Sequence, residues 1–500
     1  MKTVTFLACV TLGSSAFGWT DYFTFENVST PAGIDPQVGA MDRMPDGRLA
    51  IAFHRGEVMF YNPADNSWKL FASGLQEPLG MLAEQDGSIL VMQRAELTRL
   101  KDTDGDGIAD EYETVFDDFG ISGNYHEFNY GPARDAEGNL YIVLGIASNG
   151  ASMAKEIRGE FSEIGQVDFK GMTTRETWGK NRNAAGRMYA RVKWRGWVLK
   201  ISPDGKTMEP YASGFRSPNG IGFDARGRLL ITDNQGDWRP TSPLYDVRKD
   251  GFYGHPASLV WKKGWNGGDP RLMDVAKLDA MQTPAAGFFP QGELANSPTW
   301  PVVIPKGMFN EGMAGQTLIG EMNQPNLVRV LDDEVDGVFQ TALVPMFDGS
   351  PLGIGNNRII FGSDGDMYVG KTALSWAGSK GITRIKWNRK PFLSVDKIKA
   401  LSEGFALRFS QPLDATTLKT LSVKKHTYDY HQAYGAPKKD EKPLVIVDAK
   451  LSKDSMTVTL DVGALEEKYL HLIDMSGLLS KEGDKVLGAK AWYYVVKAPN

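Results

Sequence analysis

The sequence predicts an all-β protein, a six-bladed β-propeller followed by a small immunoglobulin-like β-sandwich. Three observations carry that expectation. Glycine supplies 55 of 500 residues and proline 26, a glycine share well above the usual level of about 7% and a mark of many short strands joined by tight turns. One hairpin turn recurs six times along the chain. Near Pro391 the pattern changes to lysine-rich alternating segments.

In each recurring hairpin an apolar limb ends in an x-Gly turn and a β-rich limb follows. The turns are Asp46-Gly47 before LAIAF, Asp86-Gly87 before ILVM, Glu137-Gly138 before LYIVL, Arg226-Gly227 before LLIT, and Asp364-Gly365 before MYVG, with Gly315-Gln316 before TLIG as a degenerate copy. Such turn chemistry between apolar runs is a hairpin signature. Similar four-stranded units hide their edges by closing into a ring, which favours a propeller over a solenoid. The propeller is expected over residues 19–391, with an insertion at 151–196 between the third and fourth blades. The segments ALRFS, VIVDAKL, MTVTLDV, YLHLI and AWYYVV place a sandwich at 392–500, without a disulfide. In each blade the residue entering the first limb and the residue leaving the second lie at one edge. His54, Arg94, His126, Arg216 to Asn219, Asn234 to Asp237, Glu321, Arg358 and Lys371 are therefore expected around one mouth.

Residues 1–18 read as an export signal: Lys2 gives the charged start, Val4 to Leu12 the apolar stretch, and Ala16-Phe17-Gly18 the cleavage site. That predicts a periplasmic or secreted protein without a membrane span, since no stretch of 18 apolar residues occurs elsewhere. A lipoprotein reading of Phe6-Leu7-Ala8-Cys9 is the weaker alternative. Removal of the leader takes away Cys9, the only cysteine, and with it disulfides, thiolate catalysis and cysteine-held metals. The formal net charge of −5 and the acidic remainder argue against nucleic acid as a partner.

The most specific motif is Asp102-Thr-Asp104-Gly-Asp106-Gly-Ile108-Ala-Asp110-Glu-Tyr-Glu113. Carboxylates at positions 1, 3, 5, 9 and 12, with the Ile108 carbonyl between them, match a loop that wraps calcium through hard oxygen ligands. A structural calcium is expected there, with Glu113 as the closing bidentate ligand. Lys170 to Arg195 carries eight basic residues against one acid, interleaved with Trp178, Tyr189 and Trp194 and followed by Trp197. It reads either as a lid that captures an anion or as a loop that neutralises the protein's own acidic rim. No serine nucleophile elbow, phosphate-binding loop, dinucleotide motif or His-Glu-x-x-His is present. Of six scattered histidines, His126 stands out because it enters a blade beside Glu127.

His126-Glu-Phe-Asn-Tyr-Gly-Pro with Asn139-Leu-Tyr-Ile-Val-Leu-Gly145 resembles the histidine-bearing blade of the soluble PQQ-dependent sugar dehydrogenases (glucose/sorbosone dehydrogenase-like). Arg216-Ser-Pro-Asn219-Gly, Asn234-Gln235-Gly236 and Gly251-Phe-Tyr-Gly-His255-Pro are similar to further segments of that family. The DTDGDGIAD and TDNQGDW runs, and Tyr428 to Gly435, resemble the secreted "membrane-bound dehydrogenase domain" propellers of Planctomycetes and Verrucomicrobia. The resemblance implies a sugar substrate, PQQ, calcium and a separate electron acceptor. It implies His126 as general base, Arg216 beside the quinone carbonyl, and Gln235 and Asn219 on the cofactor. The carbonyls of Gly236 and Asp237 would serve a second calcium. Two departures stand out: Ile146 replaces the aspartate that orients the base, and Gly355 and Asn357 replace the paired arginines that clamp cofactor carboxylates. Arg358, one position off, and Lys371 or the Lys170–Arg195 segment are the candidate substitutes. Two other readings stay open, a hydrolase or lyase on an acidic glycan using His126 with Glu127 or Tyr130, and a non-catalytic glycan-binding or scaffold propeller.

Overall fold

The computed structural model describes residues 18–148, 158–162, 188–373 and 378–500. Six antiparallel four-stranded blades form a propeller; five are separate sheets, and blade five is half of an eight-stranded sheet that runs on into the C-terminal region. Their inner strands are Val38–Arg43, Gly80–Ala83, Asn129–Arg134, Pro218–Phe223, Pro298–Val303 and Asn356–Phe361. Each lies against the next, and the sixth returns to the first. The ring closes through the start of the chain: Phe23–Val28 supplies the outer strand of blade six by pairing with Gly381–Trp387.

All six expected turns join the first two strands of a blade, and Gly47, Gly87, Gly138, Gly227, Gly315 and Gly365 all have positive φ. That is the left-handed conformation for which glycine has no steric penalty. Inner strands crowd at the centre, so Gly80 lies against the Gly131 carbonyl and Gly220 against that of Thr299, where a Cβ would collide. The repeat in the sequence is thus a repeat of blades.

Two expectations change. The long insertion lies inside blade three, between its second strand Leu140–Leu144 and its third, Trp197–Ile201, rather than between blades three and four. Residues past Pro391 are not detached from the propeller either. They form two four-stranded sheets, and Lys490–Tyr494 of one pairs with the outer strand of blade five, as Ala342↔Tyr493 and Leu343↔Trp492. Leu331, Ala342 and Val344 of blade five join Phe405, Leu407, Leu460 and Tyr493 in a single apolar core. The expected leader, apart from Gly18, lies outside the described residues. Among the described residues no helix is long and apolar enough to cross a membrane.

Candidate functional site: the propeller mouth

Strand register gathers the candidate residues at one end. Each inner strand starts opposite the end of the second strand of its blade, as in Pro218↔Asp233, Pro298↔Glu321 and Asn356↔Lys371. His54, Arg94, His126, Arg216, Asn219, Gln235, Glu321, Arg358 and Lys371 accordingly belong to this rim, as the hairpin argument requires.

Arg358 crosses the central channel. Its Nη2 donates to the Leu79 carbonyl of blade two at 2.6 Å, and its Nη1 to the carbonyl and Oδ1 of Asn357 at 2.8 Å. The guanidinium lies 5.0 Å from the Trp300 ring of blade five and 5.6 Å from that of Tyr130 of blade three. It is 3% exposed, and burial lowers its pKa to about 10. Lys371, opposite Asn356 on the same blade, donates to the Leu352 carbonyl and is also lowered by burial. Neither cation has a carboxylate partner among the described residues. Around them several buried polar atoms lack a protein partner: Arg358 Nε, Asn219 Oδ1, His54 Nε2, Asn356 Oδ1 and Thr372 Oγ1. Buried polar groups are nearly always satisfied in folded proteins, so such a concentration marks a polar ligand or solvent site. Below Arg358 a cavity of about 280 Å³ opens along the channel.

Blade four is arranged differently. Arg216 Nε donates to Asp237 Oδ1 at 2.9 Å, and its backbone N–H to Asp233 Oδ2 at 2.8 Å. Asp237 Oδ2 accepts from the Met188 N–H at 3.0 Å and faces His255 Nε2 at 3.3 Å. His255 Nδ1 accepts from the Ala257 N–H at 3.4 Å, which assigns the ring proton to Nε2. Burial lowers the His255 pKa to about 4, so the ring is neutral at pH 7. Burial would raise Asp237, but the charge of Arg216 and the bond from His255 outweigh it and hold that carboxyl well below the usual range. Asp233 in turn accepts from Arg239 Nε and Nη2, both at 3.2 Å. Sequence reading missed Asp233, Arg239 and His255 as a unit, although the last lies in one of the segments that carried the resemblance.

A strap from the C-terminal region covers this cluster. Gly435 N–H donates to the Gly236 carbonyl at 2.9 Å, Ala436 N–H to that of Pro240 at 2.9 Å, and the Tyr430 hydroxyl to that of Gly254 at 2.5 Å. The Tyr434 ring lies 5.4 Å from the Arg216 guanidinium carbon. Three site assignments are corrected as a result. Gln235 donates to the Pro240 carbonyl at 3.0 Å and packs against Gly435 rather than facing an open mouth. The Gly236 carbonyl accepts from Arg239 and Gly435 N–H groups, and the Asp237 backbone bridges to Tyr434 while its side chain is held by Arg216 and His255, which makes that turn a protein contact and not a cation cradle.

His126 sits half-buried in a turn, its N–H donating to Asn124 Oδ1 at 3.0 Å and its ring 5.5 Å from Tyr125. The Ile146 backbone N–H bonds the Arg216 carbonyl at 3.0 Å and so ties blade three to blade four. Glu127 cannot act beside His126: it is 1% exposed, accepts from the Ser122 N–H at 2.8 Å, and lies 3.9 Å from Arg195. Tyr130 is fully buried with its pKa raised by burial. Glu127 and Tyr130, the two candidate partners of His126 in the hydrolase reading, are therefore both buried.

Most of the basic segment, including Lys170, Arg175, Lys180, Arg182 and Arg187, lies outside the described residues. Arg195 at its end is a core residue that donates to the carbonyls of Gly120 (2.9 Å) and Glu127 (3.2 Å) and to Asn129 Oδ1 (2.6 Å). Tyr189 and Trp197 are buried too, so these aromatics pack and do not present a stacking surface.

The aspartate loop lies between the third and fourth strands of blade two, at the end opposite the mouth. Oxygens of Asp102, Asp104 and Asp106 lie within 4.8 Å of one another. The loop also bridges blades: Lys69 of blade one donates to the Asp106 carbonyl at 2.5 Å, and Ala109 N–H to that of Phe71 at 2.7 Å. Asp110 and Glu113 do not join the group. Asp110 accepts from the Thr103 N–H and hydroxyl at 2.9 and 2.6 Å. Glu111–Phe116 is a strand rather than the helix that follows an EF-hand loop, and its pleat aims Glu113 at Lys101 (3.0 Å) and Arg99 (3.2 Å). The Ile108 backbone N–H donates to Asp106 Oδ1 at 2.7 Å.

A family profile described as a domain of unknown function (DUF7133) matches residues 64–196, from the edge of blade one into blade three. No curated protein matches the chain. Among solved structures, an oxidoreductase described as a glucose dehydrogenase from Thermus thermophilus is 17% identical, with a TM-score of 0.46 over 73% of this chain and 100% of its own. The PQQ-bound aldose sugar dehydrogenase from Streptomyces coelicolor is 14% identical, with a TM-score of 0.44 over 73% and 98%. The apo-form of the soluble aldose sugar dehydrogenase from Escherichia coli is 13% identical, with a TM-score of 0.43 over 73% and 99%.

Proposed function

We propose that the protein is a quinone-dependent oxidoreductase that oxidises a hydroxyl of a sugar or sugar-derived alcohol at the propeller mouth. The observation that supports this most is the pair of buried cations on blade six, Arg358 and Lys371, which lack a carboxylate partner among the described residues. Holding an unpaired charge away from water is costly. A cofactor bearing several carboxylates, such as PQQ, supplies the missing counter-charge. The residues fit it in part: Arg358, Lys371 and Asn219 would hold it, whereas Gln235, Gly236 and Asp237 are engaged by the protein itself. When bound, a quinone of this class supplies a two-electron acceptor.

The chain's own groups would then manage charge and protons. The His126 imidazole takes the proton of the sugar hydroxyl, whereas Arg216, paired with Asp237 beneath the C-terminal strap, is held as part of the scaffold and does not take the role beside the quinone that the resemblance implied. Calcium at Asp102, Asp104 and Asp106 would pin blade two to blade one far from the chemistry. Electrons leave to a separate acceptor, and the leader-like first 18 residues direct the chain to the periplasm or medium. Dye reduction by protein reconstituted with PQQ and calcium, assayed over a panel of aldoses and sugar alcohols, tests the reading. Turnover should require both PQQ and sugar and fall at least a hundredfold in His126→Ala; absence of PQQ-dependent turnover across the panel would overturn it.

A further inference from the structure

A second cavity, of about 570 Å³, lies between blade four and the C-terminal sheets. Trp238, Tyr245 and Phe288 of the propeller and Tyr428, Tyr430 and Tyr494 of the C-terminal region stand in its wall. Phe288, Tyr428 and Tyr430 keep accessible surface there while Trp238, Tyr245 and Tyr494 are buried in the wall, and an unfilled space at a junction of two structural units departs from the crystal-like density to which interiors normally close. The volume falls in the range of about 300–1,000 Å³ typical of small-molecule sites.

The charges around the cavity decide what it takes. Arg239 is paired with Asp233, Asp279 with Lys468 at 3.6 Å, Asp429 with Lys439 at 2.9 Å, and Glu467 with Lys497 at 3.2 Å. Every ionic group of the lining already has an opposite charge, so the site has no net demand for an ion of either sign. Its remaining chemistry is aromatic surface, the Tyr494 hydroxyl and the Gln282 side-chain oxygen, because the hydroxyls of Tyr245 and Tyr430 bond the Tyr253 and Gly254 carbonyls and the Gln282 amide nitrogen donates to Asp279. The Tyr428 hydroxyl faces His426 Nε2 at 3.1 Å, a ring kept neutral at pH 7 because burial lowers its pKa to about 4. Flat apolar faces beside neutral donors and acceptors match the C–H faces and hydroxyl edge of a pyranose ring.

We infer that this cavity is a binding site for a neutral saccharide, one or two sugar units long, separate from the propeller mouth. The site is preformed, because backbone pairing of Lys490–Tyr494 with blade five fixes the C-terminal sheets against the propeller. Its floor and the strap share residues: Tyr430 packs 5.3 Å from Trp238 and bonds Gly254, while Gly435 bonds Gly236 beside Arg216.

Calorimetric titration of the full chain with maltose, cellobiose and xylobiose, and with glucuronate and choline as charged probes, tests this. At least one neutral disaccharide should saturate a single site, with affinity independent of salt. Ala280→Trp, which fills the cavity from an exposed helix position, should weaken that binding at least tenfold without moving the melting temperature, and Phe288→Ala should weaken it through loss of one face. Failure of all three disaccharides to bind would overturn the inference. So would tighter binding of either charged probe, or sugar binding that survives Ala280→Trp but is lost in Arg358→Gln, which would place the sugar in the mouth.

Discussion

Blades four and six both carry buried cations at the same end of the propeller, and they treat them in opposite ways. On blade four Arg216 and Arg239 are matched by Asp237 and Asp233, and a strap from another part of the chain seals them in. On blade six Arg358 and Lys371 meet only carbonyls and the Asn357 side-chain oxygen. The matched pairs explain themselves as structure. The unmatched ones call for something the chain does not contain, and that contrast, more than the type of any one residue, distinguishes scaffold from site.

The contrast breaks most visibly through stability. Asp237→Asn leaves Arg216 buried without its counter-charge, which should cost about 3–5 kcal/mol in urea or thermal melts. Arg358→Gln removes a charge that has no partner, so relief of desolvation offsets the lost bonds to Leu79 and Asn357, and stability should change by no more than about 1 kcal/mol. Equal losses in the two variants would erase the distinction.

Acid sharpens it further. The His255 pKa is lowered from 6.5 to about 4 in the fold, so between those values the unfolded chain binds a proton that the native state refuses. The associated stability is whole above pH 6.5 and is lost as pH falls toward 4; Asp237, depressed in the fold, extends the loss below its ordinary value. Denaturation midpoints should therefore fall from about pH 7 to about pH 5, and His255→Asn should reduce that slope by its own share, with His54, His426 and His471, likewise lowered by burial to about 4, carrying the rest. Blade six, whose cations titrate far above this range, should contribute nothing to it.

How far the sequence reached follows the same division. Turn glycines announce themselves because positive φ restricts the residue, so Gly47 to Gly365 revealed the blades and their common mouth. Closure by Phe23–Val28 and fusion of Lys490–Tyr494 to blade five left no such mark, since edge pairing is set by backbone geometry and not by a residue type. At the site, spacing suggested Glu113 as a calcium ligand, but strand pleat turned it toward Lys101 and Arg99. Gln235 and Gly236 match a cofactor turn in local sequence, yet a strap from the far C-terminal region, at Gly435, occupies that turn. Local pattern carries local geometry; it does not report what distant chain comes to cover it.

The smallest effect concerns the aspartate loop, which lies far from both rims. Calcium added to chelated protein should raise the melting temperature by a few degrees, Asp104→Asn should reduce that shift, and Glu113→Gln should leave it unchanged. A shift abolished by Glu113→Gln would restore the twelve-residue loop that the sequence suggested.

The central claim is that the unmatched cations of blade six hold an anionic cofactor. Absorbance-monitored titration of the calcium-loaded protein with PQQ, beside Arg358→Gln and Asp237→Asn, measures it most directly. The account predicts saturable binding at one site, weakened at least tenfold by Arg358→Gln and much less by Asp237→Asn in the fraction that remains folded. Binding that ignores Arg358, or no binding at all, would contradict it.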